Sequence, residues 1–427
     1  MFLNYLWIIA SSCIFLVGIY YSFKLNFIHL NLWAMFKALS TKSNHEEGIS
    51  PFITLTMAVA GRIGTGSLAG IALAVYLGGP GTIFWIWVTS ILCASNAFVE
   101  SLLALVYKVK DTKHIYQGGP YYYIKNGMNN NPLAKLSALI ILITFLFGFM
   151  TIQVNTVSIA ITNIININPI VIGIIIAVLV GTTIISGVKG IANITSKLVP
   201  FMALFFFITC SSIIIINLKD IPHVFSLIFN NIIDYKAVGL GTLAPLLIGM
   251  QKGIFSSEAG LGTGSIAAAI TDTKDPKVGG LVQTFGIHLE NLIIATLTAF
   301  VIILSNYQSK RIIDPNGIEI TNYAFKYHLG HIGPLLVTII IIFFGLATLF
   351  TSYYYTESSF KFLKHKVTKK DLLVLKIITL LLLIISSAIS SQIIWFIVDV
   401  LVGLLAIINS YALFSLRHIV FKEYQKR

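Results

Sequence analysis

Charge is scarce in this chain. Only 11% of its 427 residues are Asp, Glu, Lys or Arg, while 56% are hydrophobic; soluble domains carry roughly 25% charge. That shortage excludes a soluble globular protein and points to an integral membrane chain. Cysteine is nearly missing as well. Cys13, Cys93 and Cys210 each sit alone in an apolar run, which excludes a disulfide framework and any zinc motif built on cysteine spacing. There is no HExxH, no GxSxG and no pair of acids at metal-ligand spacing, so a polytopic membrane enzyme lacks its metal cluster or activated nucleophile. Nothing repeats to line a channel pore. The longest polar pieces, 23–51, 108–132 and 306–331, hold too little apolar pattern to fold as a domain of their own.

What the chain does have is long apolar runs. Eleven are readable, at about 2–22, 53–76, 81–107, 133–155, 168–187, 196–217, 238–269, 279–305, 332–356, 371–390 and 393–415, each long enough for a helical span of about 20 residues. The formal net charge of +13 raises the question of nucleic acid, and its distribution answers it. Taken alternately, one set of connections carries 22 basic residues and the other only Lys219, Lys236, Lys310, Arg311 and Lys326. The positive-inside bias places the first set in the cytoplasm. The N-terminus is then expected outside, the C-terminus in the cytoplasm, and the span count odd. The charge is a topology signal, and no nucleic-acid partner is expected. The first run lacks a preceding basic region and an A-x-A-like cleavage site, so it reads as a retained span, with an uncleaved signal anchor as the alternative.

Two spans are interrupted in the same way. Residues 58–75, "AVAGRIGTGSLAGIALAV", place Gly61, Gly64 and Gly66 around Arg62, and residues 251–268, "QKGIFSSEAGLGTGSIAA", place Gly260, Gly262 and Gly264 beside Glu258. The first lies in span two and the second in span seven. Two sets of five spans thus each begin with a break, and five being odd, they enter from opposite sides. The expected fold is therefore all-α, with about eleven transmembrane helices in a 5+5 inverted repeat and one extra N-terminal span. Its parts are 1–51, 52–217, 238–415 and a tail at 416–427. Broken backbone in lipid is tolerated where it lines a buried cavity. Its N–H tips can hold a carboxylate and its C=O tips a sodium ion, a combination that matches a zwitterionic amino acid with a coupling cation. Glycines that only permit close helix packing are the alternative.

At these residues the chain resembles the alanine or glycine:cation symporter family, secondary transporters of small neutral amino acids with the leucine-transporter-type fold. The family's opening GxGxYxTxRxxFxQ is echoed by "GIYYSFKLNFIHL". The two broken helices, "GGPYYYIKNGM", "GVKGIANITSKLVPFMA" and "WFIVDVLVGLLAIIN" follow in order. The resemblance implies sodium-coupled symport of an alanine- or glycine-like amino acid by alternating access in the cell (inner) membrane, with sodium as coupling ion and no other cofactor. It implies that backbone N–H groups of Gly64, Thr65 and Gly66 hold the substrate carboxylate. Gln153, ahead of Asn155, would reach its polar groups, and the unwound Glu258, Gly260, Leu261, Gly262 and Thr263 would face its amine and side chain. Sodium falls between Ala60, Ile63 and Thr348. The chain departs from the family at Ser67 and Ser257, where Asn is usual, and at Ala347, where Ser precedes the Thr. These changes bear on a second cation site near Ser67 and on which amino acid is carried. Proton coupling through Glu258, Asp399 or His288 is the alternative mechanism.

Charges inside spans need partners. For Arg62 the candidates are Glu258, Glu290 and Glu100, in a gate between the repeats or a structural ion pair. Asp399 reads as a polar residue satisfied between helices or as a proton relay. Glu357 reads as solvated, His288 as a core histidine, and Tyr121, Tyr122 and Tyr123 as an interfacial aromatic belt. His328 and His331, three apart, lack a third ligand.

Overall fold

The computed structural model describes residues 2–41, 49–111, 115–233, 243–305, 317–364, 366–389 and 392–426. Lys42, Lys113, Lys236, Lys310, Arg311 and Arg427 of the topology count lie outside these residues, as do 238–242 at the expected start of span seven. The described chain is helical, apart from a two-residue hairpin pairing Val109–Lys110 with Tyr116–Gln117. The helices α1 (Phe2–Lys24) and α2 (Leu32–Leu39) lead into α3 (Pro51–Arg62) and α4 (Ala69–Gly78), the first broken span. Then come α5 (Thr82–Val106), α6 (Pro120–Gly127) and α7 (Asn131–Ile143), which passes through a π-helical stretch, Thr144–Phe149, into α8 (Met150–Thr162). Helices α9 (Pro169–Ile185), α10 (Gly187–Ile216) and α11 (Ile221–Asn230) precede the second broken span, α12 (Ala244–Ser257) and α13 (Gly264–Ala269). Next, α14 (Pro276–His288) runs through a second π stretch, Leu289–Ile294, into α15 (Ala295–Leu304). The remainder is α16 (Gly317–Leu329), α17 (Ile332–Leu363), α18 (Lys369–Ser386), α19 (Gln392–Ser415) and α20 (Arg417–Gln425).

Among the described residues, seven helices are long and apolar enough to cross a membrane, and the α3–α4 pair, bent by 64°, makes an eighth. The shorter α9, the α12–α13 pair and α18 match the other three apolar runs read from the sequence. Starts follow local chemistry. Ser50, Asn168 and Asp275 cap α3, α9 and α14, each followed by a proline in the first turn, where its missing N–H costs nothing. One boundary differs from expectation: α10 begins at Gly187, not near 196. The corner sits at Gly187 because its φ of +67° suits glycine, and the polar stretch after it stays helical with Lys189 exposed.

The packing relates the two sets of spans. Gln153, Val157 and Ala160 of α8 meet α17 at Gly345 and Thr338, so the two chains run in opposite directions. Phe98 of α5 packs on Gly280 of α14 and Ala94 on Thr284, again antiparallel. Gly173 of α9 meets Ile384 of α18 and Ser387 just past it, and Gly181 meets Leu380 of α18. The broken spans do the same, α3 beside α13 and α4 beside α12, with Thr271 bonded to Thr54 at 2.9 Å. Spans two to five thus each pack antiparallel against the span five places on. Glycines permit these approaches: in lipid, close van der Waals contact rather than the hydrophobic effect holds helices together. Outward faces are apolar, as at Ile175, Val178, Ile208, Ile215 and Leu381, while Thr, Ser, Asn and Glu side chains are buried inside.

Candidate functional site

The first break is short. Ile63 leaves the helix (φ −78°, ψ 78°), Gly64 is extended, and one tight turn over Thr65–Ser67 restores a helical path. The last carbonyls of α3 are left without helical partners. Two of them turn to α17, where the Thr348 hydroxyl lies 2.9 Å from the Ala60 carbonyl and 3.4 Å from that of Ile63. The same hydroxyl is 2.9 Å from the Phe344 carbonyl of its own helix. A threonine has one proton to donate. Four oxygens therefore converge with a single donor among them, and such an all-oxygen set suits a hard cation. The three residues expected to hold sodium are brought together.

Gly64 lies against this cluster. A Cβ placed on it would stand 2.7 Å from Thr348 Oγ1 and 2.8 Å from Gln153 Nε2, so only glycine fits. The Gln153 carbonyl oxygen accepts the Thr65 N–H at 2.9 Å. The amide expected to contact substrate is thus bonded to a backbone donor expected to hold the substrate carboxylate. Asn155 lies apart from Gln153. Two residues apart on one helix, Gln153 and Asn155 point nearly opposite ways, and Asn155 donates to the Ile389 carbonyl beyond α18 at 2.6 Å. At Gly66 the backbone is partly open, and the neighbour across from its missing Cβ is Phe255, 3.9 Å away.

The second break is held by its neighbours. Glu258 takes a left-handed conformation (φ 54°), followed by Gly260 and Gly262 at φ 81° and 83°. Gly260 backs onto Ile14 of α1 and Gly262 onto Pro120 of α6. The Gly262 N–H donates to Glu100 at 2.9 Å, and Asn409 of α19 donates to both Glu100, at 3.0 Å, and the Gly260 carbonyl, at 2.9 Å. Thr263 donates to Glu258 at 2.7 Å. Gly260 and Gly262 therefore contact α1, α5, α6 and α19. Phe255, one turn before the break, is what α12 presents to the first break. It stacks on Phe149 (5.1 Å between centroids) and lies 5.5 Å from Trp395. No sequence signal separates these rings from ordinary core aromatics.

Arg62 is buried between the two breaks. Its guanidinium is wedged between Gly264 of α13 and Gly286 of α14: a Cβ on the first would collide with Nη2, and on the second would stand 2.6 Å from Nη1. The expected carboxylate pair is corrected. Among the described residues none closes to ion-pair distance with Arg62, which donates instead to the Gln283 carbonyl at 3.3 Å. Its charge acts on all three candidates, Glu100, Glu258 and Glu290. Each of these fully buried acids keeps one oxygen without a hydrogen-bond partner. Glu290 accepts the Ser67 hydroxyl at 2.6 Å.

Other sequence candidates fall elsewhere. Asp399 meets Gln251 and the charge of Lys252, a basic residue inside span seven that the sequence reading passes over. The Lys252 ammonium lies 5.3 and 5.1 Å from the ring centres of Phe255 and Trp395. His288 is 2.7 Å from the His29 carbonyl and 3.5 Å from Ser90. His328 meets Asn217 and the Val301 carbonyl, and Glu357 pairs with Lys361 at 2.6 Å. The expected belt at Tyr121–Tyr123 is corrected: Tyr121 and Tyr123 are wholly buried. Because α6 lies against the spans, its tyrosines bond to Ser358 (2.8 Å) and Asn409. An aliphatic cavity of about 160 Å³ between α8, α9 and α17 has no polar lining and is separate from this site.

Residues 1–426 match the family described as the sodium:alanine symporter family. The chain belongs to that family. Among relatives, it is 36% identical over 418 residues to the probable sodium/glutamine symporter GlnT of Bacillus subtilis (strain 168), covering 96% of this chain and 86% of that one. It is 32% identical over 419 residues to the sodium/alanine symporter AgcS of Methanococcus maripaludis, covering 95% and 91%. Its fold is similar to that of MhsT in complex with L-phenylalanine (TM-score 0.60, 13% identity, 89% and 98% covered). It is also similar to that of a substrate-bound Na+-coupled sialic acid symporter (TM-score 0.55, 14% identity, 95% and 84% covered). This family member is a multi-pass membrane transporter for sodium-coupled amino-acid symport, not an enzyme, with the leucine-transporter-type fold.

Proposed function

We propose that the substrate is a small neutral amino acid of the alanine or glycine type, carried by alternating access. The observation behind this reading is the cluster of four oxygens at Thr348, Ala60, Ile63 and Phe344, touching a glycine, Gly64, that also borders Gln153. Sodium binds at Ala60, Ile63 and Thr348. The substrate carboxylate takes the N–H groups of Gly64, Thr65 and Gly66, with Gln153 releasing Thr65 to do so. The open side of Gly66 receives the side chain, bounded by Phe255. Sodium and amino acid share the Ile63–Gly66 backbone, so ordering it for one favours the other by the same factor. The N-terminus lies outside and the tail in the cytoplasm of the cell membrane. The working units are 52–217 and 238–415.

Uptake of labelled alanine, glycine and glutamine into proteoliposomes, with sodium, potassium or pH gradients imposed separately, tests this. Sodium-driven accumulation of alanine or glycine is expected. Accumulation of glutamine alone would refute the small-substrate reading. Accumulation under a proton gradient alone would refute the sodium site.

A further inference from the structure

We propose that Glu290 is a proton-binding site and that its proton is a second coupled ion, bound or released as the first break rearranges. The inference rests on the reading of this chain as a sodium-coupled amino-acid symporter.

The π stretch Leu289–Ile294 carries it. Single π turns inside α-helices recur at functional sites. Here the extra width lets two adjacent side chains serve two different broken spans. Glu290 accepts the Ser67 hydroxyl at the first break. Asn291 accepts the Ser256 hydroxyl at 2.8 Å and donates to the Gly253 carbonyl at 3.0 Å, both on α12. Two turns further, Thr298 donates to the Ser67 carbonyl at 3.0 Å. One helix thus grips Ser67 by its hydroxyl and its carbonyl, and grips the other broken span beside it.

Glu290 Oε2 is buried with no partner. The charged group acting on it is Arg62 on α3, which also acts on Glu100 of α5 and on Glu258 at the second break. On its own helix His288 is engaged with His29 and Ser90. One guanidinium thus serves three buried acids, and it sits within ion-pair distance of none of them. Leaving such charges uncompensated in a membrane core is costly, so the cluster must take up positive charge. At Glu100, Oε2 receives two N–H groups that can only donate, which favours its ionised form. Glu290 faces a hydroxyl that has a second acceptor, since Ser67 Oγ is also 3.5 Å from the Arg62 carbonyl.

That pair can reverse. With Glu290 ionised, the Ser67 O–H donates to it. With Glu290 protonated, the Glu290 O–H donates to Ser67 Oγ and the Ser67 O–H swings to the Arg62 carbonyl. The proton comes from water and returns to water, and no other covalent bond changes. The swing ends on the residue next to Ile63, whose carbonyl belongs to the proposed sodium site.

Infrared difference spectra of the purified protein between low and high pH test the site without relying on transport. A protonated-carboxyl C=O band is expected that disappears in Glu290→Gln and shifts in Ser67→Ala. In proteoliposomes, sodium-driven alanine uptake by the wild type should acidify the lumen. Its rate should fall as pH rises, approaching about tenfold per unit for one required proton, and E290Q should flatten that profile and abolish the acidification. A missing band, a band unchanged in E290Q, or an unchanged pH profile in E290Q overturns the proposal. If E290Q does not fold, S67A decides: an unshifted band overturns it. If the band behaves as expected but no neutral amino acid accumulates under a sodium gradient, the functional reading falls and the proton site stands.

Discussion

Gln153 accepts the Thr65 N–H at 2.9 Å while Gly64, the residue before it, separates the Gln153 amide from the Thr348 hydroxyl. The proposed substrate and cation subsites therefore share one residue that has no side chain. Neither can be disturbed there without reaching the other.

Gly64→Ala is the direct probe of that sharing. Its Cβ would stand under 3 Å from both neighbours, an overpacking that costs about 1–3 kcal/mol. Uptake is expected to fall more than roughly tenfold (1.4 kcal/mol being tenfold), with apparent sodium and amino-acid affinities weakened together. Gly70→Ala on α4, where nothing lies within 4 Å of a Cβ, is the control. Equal uptake by the two variants would count against a shared subsite.

Thr348→Ala removes the one side-chain oxygen of the cation cluster and leaves the carbonyls in place. Hydrogen bonds to charged groups are worth about 1.5–3 kcal/mol. A comparable loss predicts a roughly 10–100-fold rise in the sodium concentration for half-maximal uptake. Thr348→Ser should keep most of the affinity. Sodium titrations of the uptake rate would separate the two, and an identical response from both would remove Thr348 from the site.

Arg62 owes its place to Gly264. We expect Gly264→Ala to lower the thermal midpoint of the purified protein, and to do so less in an Arg62→Lys background, because lysine lacks the forked nitrogen that meets the new methyl. The four proteins form a double-mutant cycle. Strict additivity would mean that the glycine serves some other neighbour.

His29 joins α1 to α2 and is buried. Burial, with the His288 charge adding to it, holds its pKa down at about 4 from the ordinary 6.5. Between those values the unfolded chain binds a proton that the folded chain refuses. Its contribution to stability is thus complete above about 6.5 and declines as pH falls towards 4. His29→Gln should flatten that part of the stability–pH curve relative to wild type. A curve of unchanged slope would show that His29 titrates freely in the fold.

Much of the architecture was legible in order along the chain. Long apolar runs mark spans because lipid admits backbone only when its polar groups are satisfied within the segment. Glycine clusters at 61–66 and 260–264 mark breaks because few other residues tolerate the required angles or approaches. The placing of Ala60, Ile63 and Thr348 in one cluster came from the resemblance to the symporter family. The role of Lys252 is not legible in the sequence, because a lysine amid apolar residues looks like a span end until its partners are known.

The sequence by itself determined where the chain enters lipid, where its helices break and which carbonyls a break leaves free, since these depend on residues adjacent in the chain. Only the tertiary structure decided that Gln153 meets Thr65 across 88 positions while Asn155 turns to Ile389. It also decided that Arg62 lies among three acids without pairing to one, and that the second break faces Glu100 and Asn409. Those outcomes depend on how far and at what rotation one helix packs on another, and that is set by the whole bundle, not by any one span.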